Sequence, residues 1–196
     1  MTAPAIDQQT HDWFVGHRLA WLNPFEKAIT LLGSTTTVVL VTMVIASLLL
    51  WRARASGPAA YLTMTITLSC LVLFSVKTLA KRHRPPDNGW LVNGPGYSFP
   101  SGHATLSAAL ATALIVLAVR RVARAWVWPV IGAGVLFSLF IGISRLYLGV
   151  HWLTDVLAGW TLGTLIALGT GWVMRGLFPK QEKQKQEEQA PSVPQS

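Results

Sequence analysis

The stretch RLYLGVHWLTD, residues 145–155, carries an arginine, a histidine and an aspartate between two long uncharged runs, 126–144 and 156–174. Charge is otherwise scarce on either side, so these three side chains are the exception that needs a reason. His151 and Asp155 stand four residues apart and share a face if the stretch is helical. A carboxylate so placed can hold one imidazole nitrogen while the other points at a substrate. Arg145 is off that face of a continuous helix, and Gly149 is the point at which a bend would return its guanidinium to His151. Such a grouping calls for an anion.

Outward from this stretch the composition is that of a membrane protein. The chain has 196 residues, of which 52% are hydrophobic and 12% charged, with a mean hydropathy of +0.44; soluble domains carry about a quarter charged residues. The length fits one domain, 1–178, followed by a tail. The net charge of +8 does not point to nucleic acid, because the bases lie at the ends of apolar runs, where membrane proteins place them. Cys70 sits inside an apolar run with no second cysteine to pair with. No secretory leader is read in the first 27 residues, which lack a basic start, an apolar region and a small-residue cleavage site.

Five uncharged or nearly uncharged runs, 28–51, 55–76, 101–119, 126–144 and 156–174, are each long enough to cross a hydrocarbon core of about 30 Å. The expected architecture is therefore all-α: a polytopic membrane helix bundle of about five transmembrane helices. Ahead of it, residues 1–27 mix charges with Trp13, Phe14, Trp21 and Phe25, the pattern of a segment lying in the membrane interface or of a loose arm. Residues 86–99 are loop-like. Residues 179–196, rich in Lys, Glu, Gln and Pro, read as a disordered cytoplasmic tail.

An odd number of spans puts the termini on opposite sides. Arg52, Arg54, Arg120, Arg121, Arg124, Arg175, Lys180, Lys183 and Lys185 then fall on the tail side. The other side receives Arg18, Lys27, Lys77, Lys81, Arg82, Arg84 and Arg145. Lys77, Arg84 and Arg145 have the spacing of a site and so a separate reason to be there. With those set aside, the positive-inside rule makes the tail cytoplasmic and the polar cluster extracytoplasmic. The same topology brings residues 77–84, 101–103 and 145–155 to one membrane face, as parts of one site.

Lys77 and Arg84 are seven apart, about two helical turns, so on a helix running up to Pro85 they point the same way, roughly 10 Å apart. Two cations there can clasp phosphate oxygens; basic residues at a membrane boundary also serve as snorkelling anchors, and Lys81, Arg82 and His83 are read that way. Pro100-Ser101-Gly102-His103 precedes an apolar helix. Ser101 suits the N-cap, Gly102 lets an anion approach the backbone, and the free N–H groups favour negative charge. His103 then stands just inside the helix, able to give a proton to a leaving oxygen. An ordinary cap with an interfacial histidine is the plainer reading. His151 with Asp155 fits metal ligation, although the surrounding cations would repel a divalent ion. It also fits a histidine nucleophile attacking phosphorus, or a buried pair that only joins helices. Inside a membrane an ionisable group is a functional hypothesis by default.

Taken jointly, Lys77-x6-Arg84-Pro85, Pro100-Ser101-Gly102-His103 and Ser144-Arg145-x5-His151-x3-Asp155 resemble the three-part signature of the type-2 phosphatidic acid phosphatases. These integral-membrane lipid phosphatases are related to soluble vanadium haloperoxidases and to glucose-6-phosphatase. With the spans between them the three parts cover about residues 60–175. Many bacterial members have six spans, and this chain reads as five with an aromatic segment where a first span would stand. The resemblance implies that His151 is the nucleophile, Asp155 its orienting partner and His103 the general acid. It implies that Lys77, Arg84, Ser101, Gly102 through its backbone N–H, and Arg145 hold phosphate oxygens. It further implies no metal and no cofactor, a membrane lipid phosphate as substrate, and the cytoplasmic membrane as location. Undecaprenyl diphosphate is the favoured substrate, with phosphatidylglycerol phosphate and phosphatidic acid as rivals and a lipid phosphotransferase as the alternative activity.

Overall fold

The computed structural model describes residues 3–120 and 122–177. Arg121 and the expected tail, 179–196, lie outside the described residues. Within them every regular element is helical: α1 Ala5–Gly16, α2 Asn23–Leu32, α3 Thr35–Trp51, α4 Ser56–Ala80, α5 Gly102–Ala118, α6 Arg124–Tyr147 and α7 Leu153–Val173, with short 3-10 turns between and after them.

The five expected runs each meet a helix, but not on equal terms. Three helices are long and apolar enough to span, α4, α6 and α7, with 25, 24 and 21 residues. The run at 28–51 is a bent pair, Ala20–Leu32 and Thr35–Trp51, with 49° between the two parts, and counts as a fourth span if taken as one. Ser34 makes the break: its hydroxyl accepts the Thr37 N–H at 3.1 Å and starts α3 afresh. The run at 101–119 is α5, whose 17 residues extend about 26 Å, short of a full hydrocarbon core.

That short helix is the centre of the bundle. Most of its residues are buried, including Ala104, Leu106, Ala109, Leu110 and Ala113, and it packs against α4, α6 and above all α7. Contact with α7 is backbone-close because α7 offers glycine there. A Cβ at Gly159 would lie 2.8 Å from the Ser101 carbonyl, and one at Gly163 would collide with the Thr105 carbonyl. Small residues one turn apart let helices approach where no water drives them together. Around this axis Val38, Tyr61, Leu62, Ile66 and Ala167 complete the apolar core, and Tyr61 donates its hydroxyl to the Ala167 carbonyl at 3.0 Å. The outer faces stay apolar and exposed, as at Leu40, Phe74, Trp128, Phe140 and Leu165, which is the surface a lipid-facing bundle presents.

The N-terminal segment is docked rather than loose. Helix α1 packs on α6 and α7 and buries Asp7 and His11, while Ile6 and Trp13 face outward. Arg18 fastens the following turn, donating from Nε to the Tyr147 carbonyl at 2.9 Å and from Nη2 to the Gly89 carbonyl at 2.7 Å.

Candidate active site

The C-terminal ends of α4 and α6 meet the N-terminal ends of α5 and α7, and the three sequence segments converge there. Helix α4 stops at Ala80 because Lys81 takes a left-handed conformation, φ 45°. Arg84 is therefore not on α4, and the expectation of Lys77 and Arg84 on one helical face is wrong. They meet by another route. Both reach the Tyr97 carbonyl, Lys77 Nζ at 2.7 Å and Arg84 Nη2 at 3.3 Å. Arg84 also donates to the carbonyls of Pro95, Gly96 and Val150, at 3.0, 3.0 and 2.7 Å. The loop over 86–99 wraps this guanidinium and leaves a cleft of about 440 Å³ lined by Arg82, Arg84, Pro85, Gly94, Gly96 and Tyr97.

His151 is not helical either. Helix α6 ends at Tyr147, the chain turns at Gly149 with φ 78°, and α7 begins at Leu153. Glycine is required at that turn: a Cβ would strike the Gly89 carbonyl and lie 2.7 Å from Arg18 Nη2. Asp155, in the first turn of α7, reaches back across the helix start. Its Oδ2 accepts the Trp152 N–H at 2.9 Å and lies 3.3 Å from His151 Nδ1. The pairing expected from an i, i+4 helical face is thus made by a turn and a helix N-terminus.

The far nitrogen of the ring faces a cation. Arg84 Nη1 lies 3.1 Å from His151 Nε2. A guanidinium only donates, so Nε2 carries the lone pair and Nδ1 carries the proton directed at Asp155. His151 is 2% exposed. Burial first, then the charges of Arg84, Arg145 and Lys77, hold its pKa well below 6.5. Geometry and charge thus favour the neutral ring, with its Nε2 lone pair turned toward Arg84.

The remaining predicted residues surround it. Arg145 is 4% exposed; its Nη1 donates to Thr30 Oγ1 of α2 at 2.7 Å, while its Nε has no partner. Ser101 occupies the N-cap position of α5, but its hydroxyl does not cap the helix. That oxygen is buried without a partner, and the expected capping role is replaced by a free donor at the site. The Ser101 N–H instead donates to the Asp155 carbonyl at 2.9 Å, tying α5 to α7. The first helical bond of α5 is Thr105 N–H to the Ser101 carbonyl, so the N–H groups of Gly102, His103 and Ala104 are left over at the helix start. His103 lies within electrostatic reach of Arg145, His151, Arg84 and Lys77. Two buried donors without partners, the spare backbone N–H groups of the helix start and three cations around the imidazole form a cradle suited to a tetrahedral anion.

The principal omission of the sequence reading is Arg82. Read above as a boundary anchor, it instead bridges two buried carboxylates, Asp155 Oδ1 at 2.6 Å and Asp7 Oδ2 at 2.6 Å. Thr30 was missed as well. An arginine directly beside a site motif was the available signal for the first; nothing local marks the second.

Known proteins share this helical fold. The model of the PAP2 superfamily matches residues 57–179. Phosphatidylglycerophosphatase B of Bacillus subtilis (strain 168) is 33% identical over 155 residues, 76% of this chain and 73% of that protein. Undecaprenyl-diphosphatase of Sulfolobus acidocaldarius is 38% identical over 71 residues, 36% of this chain and 31% of that protein. Among solved structures, the transmembrane PAP2 type phosphatidylglycerolphosphate phosphatase from Bacillus subtilis superposes with a TM-score of 0.81 at 26% identity, over 88% of this chain and 86% of that one. Aquifex aeolicus LpxE shares the fold, with a TM-score of 0.65 at 21% identity, over 85% of this chain and 95% of that one. The matched region runs from the start of α4 past the end of α7 and contains all three site segments, and the chain belongs to the PAP2 superfamily.

Proposed function

We propose that the protein is a membrane lipid phosphatase working through a phosphohistidine, in which His151 Nε2 attacks phosphorus. The observation that carries this is the state of His151: buried, neutral, with Nδ1–H on Asp155 and its lone pair toward Arg84. When a phosphate enters, Arg84 Nη1 turns from Nε2 to a phosphate oxygen and frees the pair. The N–P bond forms as the P–O bond to the lipid breaks, and His103, which takes up a proton as the anionic phosphate binds beside it, gives that proton to the departing oxygen. Lys77, Arg84, Arg145, the Ser101 hydroxyl and the Gly102 N–H hold the three equatorial oxygens as charge spreads over them. A water then gives its proton to His103 and attacks phosphorus, the N–P bond breaks, and inorganic phosphate leaves.

No metal is needed in this scheme. The cations already supply the positive charge, and both oxygens of Asp155 are engaged, one by Arg82 and one by Trp152 and His151. The reading extends to a cytoplasmic-membrane enzyme whose site faces the extracytoplasmic side. For the substrate, the sequence reading favours undecaprenyl diphosphate. The likeness of most of the chain to a protein named phosphatidylglycerophosphatase B supports phosphatidylglycerol phosphate beside it.

The test is phosphate release by the full chain in detergent with EDTA present, from undecaprenyl diphosphate, phosphatidylglycerol phosphate and phosphatidic acid in parallel. Release is expected to vanish in His151→Ala and in wild-type protein treated with vanadate, and the ranking of rates names the lipid. Undiminished release from His151→Ala would sink the mechanism. Transfer to an added acceptor lipid in place of water would mark a phosphotransferase.

A further inference from the structure

Helix α1 lies outside the matched family region, yet its one buried carboxylate reaches the site. Asp7 is 0% exposed and accepts Arg82 Nη2 at 2.6 Å. It also accepts the Thr154 hydroxyl at 2.7 Å and the Thr154 N–H at 2.9 Å. Arg82 Nη1 goes to Asp155 Oδ1 at 2.6 Å and to Thr154 Oγ1 at 2.7 Å. A continuous line of charged contacts therefore runs from α1 to the catalytic ring: Asp7, Arg82, Asp155, His151.

The order of charges along that line has a chemical effect. Arg82 alone would draw the negative charge of Asp155 away from the imidazole, in a place where Lys77, Arg84 and Arg145 already oppose positive charge on His151. Asp7 engages the other arm of the same guanidinium. With it, Asp155, Arg82 and Asp7 together present one net negative charge to the ring; without it they present none. That charge matters most when the imidazole bonds to phosphorus and becomes electron-poor.

Resting on the phosphohistidine reading above, we propose that Asp7 is a positioning residue for the reaction, one that balances Arg82 so that Asp155 keeps its full charge toward His151. It touches neither substrate nor reacting atoms.

Asp7→Asn removes the charge with little change of shape and keeps an oxygen for the Thr154 N–H. With phosphatidic acid as probe and the full chain in detergent, kcat is expected to fall on the order of tenfold with KM unchanged. Arg82→Gln/Asp7→Asn leaves no unbalanced cation on Asp155 and should recover kcat above that of Asp7→Asn alone. A purely structural Asp7 predicts the reverse order, because two lost contacts are worse than one. An unchanged kcat in Asp7→Asn, or a double variant no faster than Asp7→Asn, overturns the proposal. If Asp7→Asn does not accumulate folded, the double variant is compared with wild type, which presents the same net charge to His151, and a kcat about tenfold or more below wild type overturns it. Parallel assays of His151→Ala separate this outcome from failure of the phosphohistidine reading. An inactive His151→Ala beside an unaffected Asp7→Asn removes only the role of Asp7.

Discussion

At His151 the physical problem is to keep a lone pair available inside a ring of cations. Burial and three neighbouring positive charges disfavour the imidazolium, so the ring takes its proton only at a pH below its ordinary 6.5. Lowering the pH from 7 toward 6 therefore leaves Nε2 unprotonated where an exposed histidine would already be charging. In ¹⁵N-histidine spectra of the detergent-solubilised protein, the signal missing from His151→Ala should titrate with a midpoint below 6.5. A midpoint at or above that value would contradict the electrostatics. Ser101 poses the opposite case, a buried hydroxyl with no partner. Removing an unsatisfied polar group costs little stability, so Ser101→Ala should hold its melting temperature while phosphate release falls roughly tenfold. A drop in melting temperature of several degrees with full activity would mark the hydroxyl as structural.

Among the elements, α5 carries His103 and α7 carries Asp155, and the two are the pair packed most closely. Gly163→Val would push a branched side chain into the Thr105 carbonyl and the Ala109 N–H, the latter 2.9 Å from the position of a Cβ. Overpacking there should cost about 1–3 kcal/mol. Melting temperature and phosphate release should fall together, because the displaced helices hold Ser101, His103 and Asp155; a lower melting temperature with unchanged turnover would disconnect this packing from the site. The sequence made these helices legible as apolar runs and located all three site segments. It did not make the element ends legible. Pro85 marks the last residue a helix can reach, whereas the true stop is a left-handed Lys81, a conformation without a glycine to announce it. The His151–Asp155 pair was legible as a spacing, but spacing alone does not distinguish a helical face from a turn followed by a helix start. Asp7, one of the two carboxylates that Arg82 bridges, lies 75 residues away on a helix that composition describes only as aromatic and mixed.

For the whole molecule, the alternation of helices fixes which ends share a side. Lys77, Ser101, Arg145 and Asp155 belong to helix ends gathered at one pole, while α7 carries the chain to the opposite pole. If the site faces out, a membrane-impermeant maleimide should label Asn88→Cys in spheroplasts and should reach Arg175→Cys only after permeabilisation, each in a Cys70→Ser background. The reverse pattern would put the site in the cytoplasm. Span number was the less legible part of this scale. Hydropathy counts the run at 101–119 like any other, although its helix is shorter than a hydrocarbon core and lies inside the bundle. Hydropathy also cannot see the bend that Ser34 introduces into the run at 28–51.

The backbone bond from Ser101 N–H to the Asp155 carbonyl, with the glycine contacts beneath it, makes the starts of α5 and α7 one body. Lys77 and Arg84 reach the site on long side chains, Lys77 from α4 and Arg84 from the segment after it, held by the carbonyls of a loop and of Val150. On the roles proposed here, the attacking nitrogen and the proton donor have their separation fixed before any lipid arrives, and the in-line axis of displacement is a property of the scaffold. Adjustment to head groups of different size then falls to the cations, which can follow the oxygens without moving the line along which phosphorus is exchanged.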